Sequence, residues 1–306
     1  MSAMEPEISV LIITYNGAAK IATVLEALKL QTIRNFEVLV IVDGSSDDTV
    51  RVLDTFRHDF EQFKAIIQPN CGRSMARNRG AAEAQGKLLI FYDDDMEPEA
   101  DSVEKHLEFH RTRTGLLSGN SIEKPSPTKT DIQNYKAHLT KQWMKRFQKG
   151  VSQLSESDLF FTSANCSIRK NDFVALGGFD TRLPDAEDFE LALRALRGGY
   201  FVYFDSKNRA THHDKITCRS YVNRIRQYKT AHYRLKEMYP DLNKKKDTAS
   251  GYPVRKLVYW LFANPALVRA IDREWLKWMP RPLRYKIYEL VIHALGVEYR
   301  QVNLLQ

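Results

Sequence analysis

With 306 residues, 43% of them apolar and 11% aromatic, the chain can bury a substantial core as one large domain or two smaller ones. Its three cysteines, Cys71, Cys166 and Cys218, lie far apart and match neither a disulfide framework nor a zinc-ligand spacing, so a reducing compartment is expected. The net charge of +8 is uneven: from Lys215 onward 19 lysines and arginines face 7 acidic residues, whereas residues 1–214 carry 27 against 31. That split suggests an anionic partner for the C-terminal third and leaves nucleic acid, an anionic membrane surface and a phosphorylated substrate open.

The N-terminus, Met1 to Glu7, is polar and has no apolar signal region. Ile8–Thr14 reads as a strand, and Ala18–Leu30 follows with Ile21, Val24, Leu25 and Leu28 at helical spacing. Phe36–Val42 is the next strand, leading into Asp43-Gly44-Ser45-Ser46 and a helix from Asp47 to about Arg57. Phe63–Gln68 predicts a third strand, Ser74–Gln85 a helix stopped by Gly86, and Leu88–Tyr92 a fourth strand. This β-α alternation implies an α/β fold with a parallel, doubly wound sheet, whose ligands bind beyond the carboxyl ends of the strands. Three strand exits carry polar clusters there: Thr14-Tyr15-Asn16, Asp43-Gly44-Ser45-Ser46 and Asp93-Asp94-Asp95.

The second half is less regular. Pro98–Thr112 and Asp131–Lys149 read as helices, Phe160–Ile168 as a strand, Ala186–Arg197 as a helix closed by Gly198-Gly199, and Tyr200–Phe204 as a strand. After Cys218 the pattern is almost wholly helical, with breaks from Pro240 to Pro253, at Pro265 and at Pro280 to Pro282. The apolar stretch Leu257 to Val268 is too short to span a bilayer and is broken by Asn264-Pro265.

Three consecutive carboxylates repel one another unless a cation joins them, and hard oxygen donors suit Mg²⁺ or Mn²⁺. Taken alone, the triplet reads as a solvated acidic turn. Neither a Gly-x-Gly-x-x-Gly turn nor a P-loop is present, so phosphates must be held by metal and side chains. Arg73 and Arg77 lie four apart at a helix start, suited to bidentate phosphate contacts. Asp43 can accept from a base or a ribose hydroxyl, or serve as a turn residue. Tyr15 can stack on a base, while Asn16-Gly17 is also simply a turn. Glu187 and Asp188 open a helix, where acidic residues are common, yet either could act as a general base. His212 could complete a metal's coordination sphere, or be structural.

In this order and spacing the motifs resemble the inverting family-2 glycosyltransferases of the GT-A nucleotide-sugar fold. The likeness runs through Ser9–Asn16, Leu30-Gln31-Thr32, Glu37–Thr49, Ala76-Arg77-Asn78-Arg79-Gly80, Phe91–Asp95, Gly177-Gly178-Phe179-Asp180 and Glu187-Asp188, and covers about residues 8–215. It departs from the common pattern at Ile13, where proline is frequent, and at Gly44, where a second Asp is common. The resemblance implies a GT-A catalytic domain over 1–215, with its nucleotide half at about 1–97 and its acceptor half at about 98–215. A basic helical region then covers 216–306. It also implies nucleobase contacts at Tyr15, Asn16 and Asp43, a substrate contact at Thr14, and a phosphate or ribose contact at Arg73 or Arg77. Asp95 becomes the metal ligand, with Asp93 or Asp94 on the ribose, and Asp188 the base, with Glu187 as contender. By the same resemblance His212 is expected near the metal or diphosphate, and the cofactor is expected to be Mn²⁺ or Mg²⁺. The expected donor is a nucleotide-diphosphate sugar, a UDP-sugar favoured, and the expected acceptor a carbohydrate or lipid-linked hydroxyl in polysaccharide, glycolipid or other glycoconjugate synthesis.

A nucleotidyltransferase and a non-catalytic nucleotide-sugar-binding scaffold are the competing readings; the first lacks its glycine-rich loop, and a scaffold needs neither Asp95 nor Asp188. In the basic third, Leu267, Ile271, Trp275 and Trp278 repeat at helical spacing among Arg269, Arg273 and Lys277, and Leu283, Ile287, Leu290, Val291 and Leu295 do so beside Arg284 and Lys286. They predict helices packed on the catalytic domain, or a peripheral contact with the inner face of a membrane from a cytoplasmic location. A nucleic-acid partner is not expected.

Overall fold

The computed structural model describes residues 6–147, 150–244 and 253–304. Residues 1–5, the predicted helix end at Gln148 and Lys149, and residues 245–252 of the Pro240–Pro253 break lie outside the described residues. Two compact units are present, one of residues 1–123 and 143–213, the other of 124–142 and 214–306. The second unit therefore takes in a segment that a division at residue 215 leaves with the first.

The first unit begins with β1 (Ile8–Thr14), α1 (Ile21–Lys29), β2 (Glu37–Asp43), α2 (Thr49–Asp54), β3 (Gln62–Gln68), α3 (Arg73–Glu83) and β4 (Leu88–Asp93). These four strands are parallel in the order β3-β2-β1-β4. Buried on both faces, β1 and β2 need the continuous apolar runs that the sequence supplies. Strand periodicity sorts their side chains: Ile8, Val10 and Ile12 of β1 and Val38, Val40 and Val42 of β2 enter one core, Leu11 and Leu39 the other. Helix α3 approaches closely because small residues face the sheet; a Cβ at Gly80 would lie 3.2 Å from Ile41.

Beyond β4 the sheet becomes mixed. β5 (Met96–Pro98), α4 (Ser102–Thr112) and β6 (Leu116–Ile122) are followed by α5 (Asp131–Met144), β7 (Val151–Leu154), β8 (Asn165–Arg169), α6 (Lys170–Ala175), α7 (Glu187–Arg197) and β9 (Val202–His212). β8 is antiparallel to β4 and β6, β6 is parallel to β9, and β5 and β7 are antiparallel to β9. The expected strand Phe160–Ile168 forms only from Asn165, and the expected helix from Pro98 begins at Ser102, because Met96–Pro98 pairs with β9. The expected strand Tyr200–Phe204 runs on to His212, which faces Met96 across the pairing.

In the second unit, α8 (Cys218–Met238) starts at a capping box made by Thr217 and Ser220. It is followed by α9 (Pro253–Phe262), α10 (Pro265–Asp272) and α11 (Arg281–His293). Val222, Val268, Ile271, Tyr288, Val291 and Leu295 form its core with Ile132 and Tyr135 of α5. The Leu267–Trp278 stripe does not lie on one helix: α10 ends at Asp272, Glu274 takes φ 56°, and Trp275 and Trp278 are exposed.

Candidate active site

The ends of β1, β2 and β4 bring their polar exits together on one rim. Asn16, at φ 48°, stitches the first two: its backbone N–H donates to Ser45 Oγ at 2.9 Å, and its Oδ1 accepts from the Ser46 N–H at 2.8 Å. Tyr15, beside it, is 54% exposed. Asp43 is buried and organises the loop before α3, accepting from Gln68 Nε2 (2.8 Å) and from the N–H groups of Cys71 and Gly72 (both 2.9 Å). Gly44 sits at φ 77°, and a Cβ there would meet Asn70 N at 2.6 Å, so the departure from Asp at this position has a backbone cause.

The acidic triplet divides three ways. Asp94 turns inward, where Thr14 Oγ1 donates to it at 2.7 Å and Lys20 Nζ at 3.0 Å. Burial holds its carboxyl above the usual range despite Lys20. Gly17 makes room, since a Cβ there would lie 1.9 Å from Thr14 Oγ1. Asp93 pairs with Arg77 at 2.8 Å; burial opposes its ionisation, but Arg77 and Arg73 outweigh it and its carboxyl lies below the usual range. Asp95 approaches His212 Nε2 at 3.3 Å, and His212 Nδ1 lies 3.6 Å from Glu123. His213 instead pairs with Glu97 at 2.6 Å.

Arg77, considered with Arg73 for a phosphate contact, is instead a buried strut. Its side chain is 4% exposed, with one arm on Asp93 and the other on Glu187 at 2.5 Å. Arg73, the first residue of α3, is exposed. The neighbouring Asn78 clamps a second motif: its Nδ2 donates to the Phe179 carbonyl and its Oδ1 accepts the Phe179 N–H, both at 2.9 Å. One helix thus explains why Ala76-Arg77-Asn78 accompanies Gly177-Gly178-Phe179 and Glu187.

With Glu187 buried against Arg77, Asp188 is the more open carboxylate of the pair. It accepts N–H bonds from Ser163 (3.2 Å) and Phe189 (2.7 Å). Burial and the adjacent Glu187 push it up to about 7, although Arg77 pulls the other way. Ala186, just before this pair, holds a left-handed φ of 62° while buried, a strained backbone next to the carboxylates. Lys20, Glu123 and Ser163 were not signalled by the sequence. Ser163 acts through its backbone, and Glu123 follows a strand too polar to announce itself.

Residues 9–177 match the model of Glycosyl transferase family 2. The chain belongs to that family. The putative glycosyltransferase EpsH of Bacillus subtilis (strain 168) is 34% identical over 115 residues, covering 38% of this chain and 33% of its own. Glycosyltransferase AglE of Haloferax volcanii is 28% identical over 223 residues, 71% of this chain and 68% of its own. The chain spans a third or less of the length of the first curated relatives it matches. Among solved structures, the Pyrobaculum calidifontis mannosyltransferase PcManGT, in complex with GDP-Man and Mn²⁺, gives a TM-score of 0.59 at 18% identity over 98% of this chain and 83% of its own. S. aureus TarS 1–349 gives 0.55 at 15% identity over 96% and 91%. This family-2 chain therefore has the GT-A fold.

Proposed function

We propose that this chain transfers a sugar from a nucleotide-diphosphate sugar to an acceptor hydroxyl in one inverting displacement, with a divalent cation at Asp95 and His212 and Asp188 as general base. The observation carrying this reading is the buried Arg77 bridge. It ties Asp93, two residues from Asp95, to Glu187, the neighbour of Asp188, so the cation end and the base end share one rim.

The donor set suits Mg²⁺ or Mn²⁺. Asp95 and His212 offer one carboxylate and one imidazole 3.3 Å apart, and among the described residues no group of three His, Cys, Asp or Glu closes a cage. Such ions take few protein ligands and complete their shell with phosphate oxygens and water. When bound, the cation would neutralise charge developing on the departing diphosphate. Glu123 would orient His212 through its other ring nitrogen.

The remaining roles follow from exposure. Tyr15 offers an aromatic face to the base, and Asp43 holds the loop at Cys71 and Gly72 before α3. Arg73, at the N-terminus of α3, is the arginine left for the diphosphate. Asp93, whose side chain is 35% exposed, is preferred over the enclosed Asp94 for the ribose. Asp188 accepts the acceptor's proton as that oxygen attacks the anomeric carbon opposite the leaving group. A base poised near 7 is matched to that task at neutral pH. Solved neighbours in complex with GDP-Man and Mn²⁺, with UDP-GlcNAc, and with UDP, GalNAc and Mn²⁺ support a UDP- or GDP-linked donor. The acceptor is a carbohydrate or lipid-linked hydroxyl.

Thermal unfolding against a panel of nucleotide sugars, with Mn²⁺ or with a chelator, tests the reading. A cognate donor should raise Tm with Mn²⁺ only, and Asp95→Ala should remove the effect. If no nucleotide sugar moves Tm in either condition, the proposal fails.

A further inference from the structure

Helix α9 shows two faces of similar chemistry. Val258, Tyr259 and Phe262 are partly buried, and the Tyr259 ring stacks on His293 of α11 at 4.5 Å. By the usual logic of a surface helix the opposite face should be polar. Instead Leu257, Trp260 and Leu261, spaced i, i+3 and i+4, are 57%, 61% and 58% exposed, beside the exposed Lys256. The same unit exposes Trp275 (59%), Trp278 (81%) and Leu283 (53%) in a segment that carries Arg273, Lys277 and Arg281. The Arg273 guanidinium lies over the Trp275 ring at 5.2 Å. Scattered apolar residues are normal on a surface, but two tryptophan- and leucine-bearing segments beside cations suggest an occupant.

Charge selects that occupant. From Lys215 onward the chain has 19 cations against 7 anions. An apolar protein groove would cover the leucines and tryptophans without using those cations. A layer of anionic lipid headgroups uses both: indole rings settle at headgroup level, leucines reach the acyl boundary, and lysine and arginine meet the surface potential. With ten residues α9 is too short to cross a bilayer, but long enough to lie along its surface.

We propose that α9 and the Trp275–Leu283 segment form a membrane-interface surface that seats the second unit on anionic lipid. This stands apart from the transfer reaction and survives if that assignment fails.

The full chain is sedimented with vesicles of phosphatidylcholine alone or with about one-third phosphatidylglycerol. Binding should be about tenfold or more stronger to the anionic vesicles, weaken as salt is raised, and carry a blue shift of tryptophan emission. The combined Leu257→Ser, Trp260→Ser and Leu261→Ser variant should lose about tenfold or more of that binding, and Trp278→Ser alone a few-fold. All four side chains are exposed, so circular dichroism should be unchanged; Trp278→Ser decides if the triple variant does not fold. Equal sedimentation with both lipids overturns the proposal. So does wild-type binding by both variants, or a lipid-free dimer that the same substitutions dissolve, which would make a second copy the occupant.

Discussion

Arg284 and Arg77 are both buried against carboxylates, one in each unit, and they differ in how many anions they face. Arg284 meets one carboxylate, Asp131, at 2.6 and 2.8 Å, and gives its remaining donors to the carbonyls of Lys277 and Met279. Tyr288 adds a third bond to Asp131 at 2.7 Å. Glu274 also lies within the field of Arg284 but has its own cation in Lys277 at 2.9 Å, so charge balances here. Arg77 meets two carboxylates, Asp93 and Glu187, with Asp188 also within its field. One cation faces three anions there, and burial together with Glu187 raises Asp188 to about 7 although Arg77 pulls the other way. The same residue type fastens one carboxylate in one unit and gathers three in the other, where the proposed base lies.

The comparison breaks first at Asp188. Asp188→Asn should lower turnover by about 10²–10⁴-fold while leaving nucleotide binding nearly intact, measured by nucleoside diphosphate release and calorimetry. Equal loss of both would remove the base assignment.

Arg77→Met and Arg284→Met should each cost about 3–5 kcal/mol in urea unfolding, because each strands a buried carboxylate. Their partners separate them. Adding Asp131→Leu to Arg284→Met should recover much of the stability with transfer intact, whereas adding Glu187→Leu to Arg77→Met, which removes the carboxylate left buried, should recover stability without transfer. Recovery of activity in the second pair would mean that the Arg77 cluster is only a fastening.

Buried neutral groups provide a milder contrast. His106 and His110 share Ser167 at 2.8 and 2.9 Å, and burial pushes them down to about 4 and about 3. Their stabilisation is complete above the unfolded value near 6.5 and is lost as pH falls from there toward 4, because the unfolded chain takes up protons first. Stability should drop by about 2–4 kcal/mol between pH 7 and pH 5, and His110→Gln should flatten that slope. Smallest of all, Gly17→Ala should cost about 1–3 kcal/mol by crowding Thr14 away from Asp94, visible as a lowered urea midpoint.

Legibility in the sequence followed chemistry. β1 was readable to the residue because a strand buried on both faces has to be continuously apolar. The acidic triplet and the Glu187-Asp188 pair were readable as candidates, but their division of labour was not. Arg77 reaches Glu187 across 110 positions, a pairing that no local spacing encodes. β9 was cut short because Asp205-Ser206-Lys207-Asn208-Arg209 lacks alternation, and the helical stripe expected over Leu267–Trp278 breaks where Glu274 turns the chain.

The most direct measurement is nucleoside diphosphate release from the stabilising nucleotide sugar with Mn²⁺, followed from pH 5 to 9 in the native chain and in Asp188→Asn. The account predicts that kcat/KM rises through an apparent pKa near 7, and that Asp188→Asn binds the donor but releases almost no product. A flat profile, or an Asp188→Asn variant that turns over like the native chain, would contradict it.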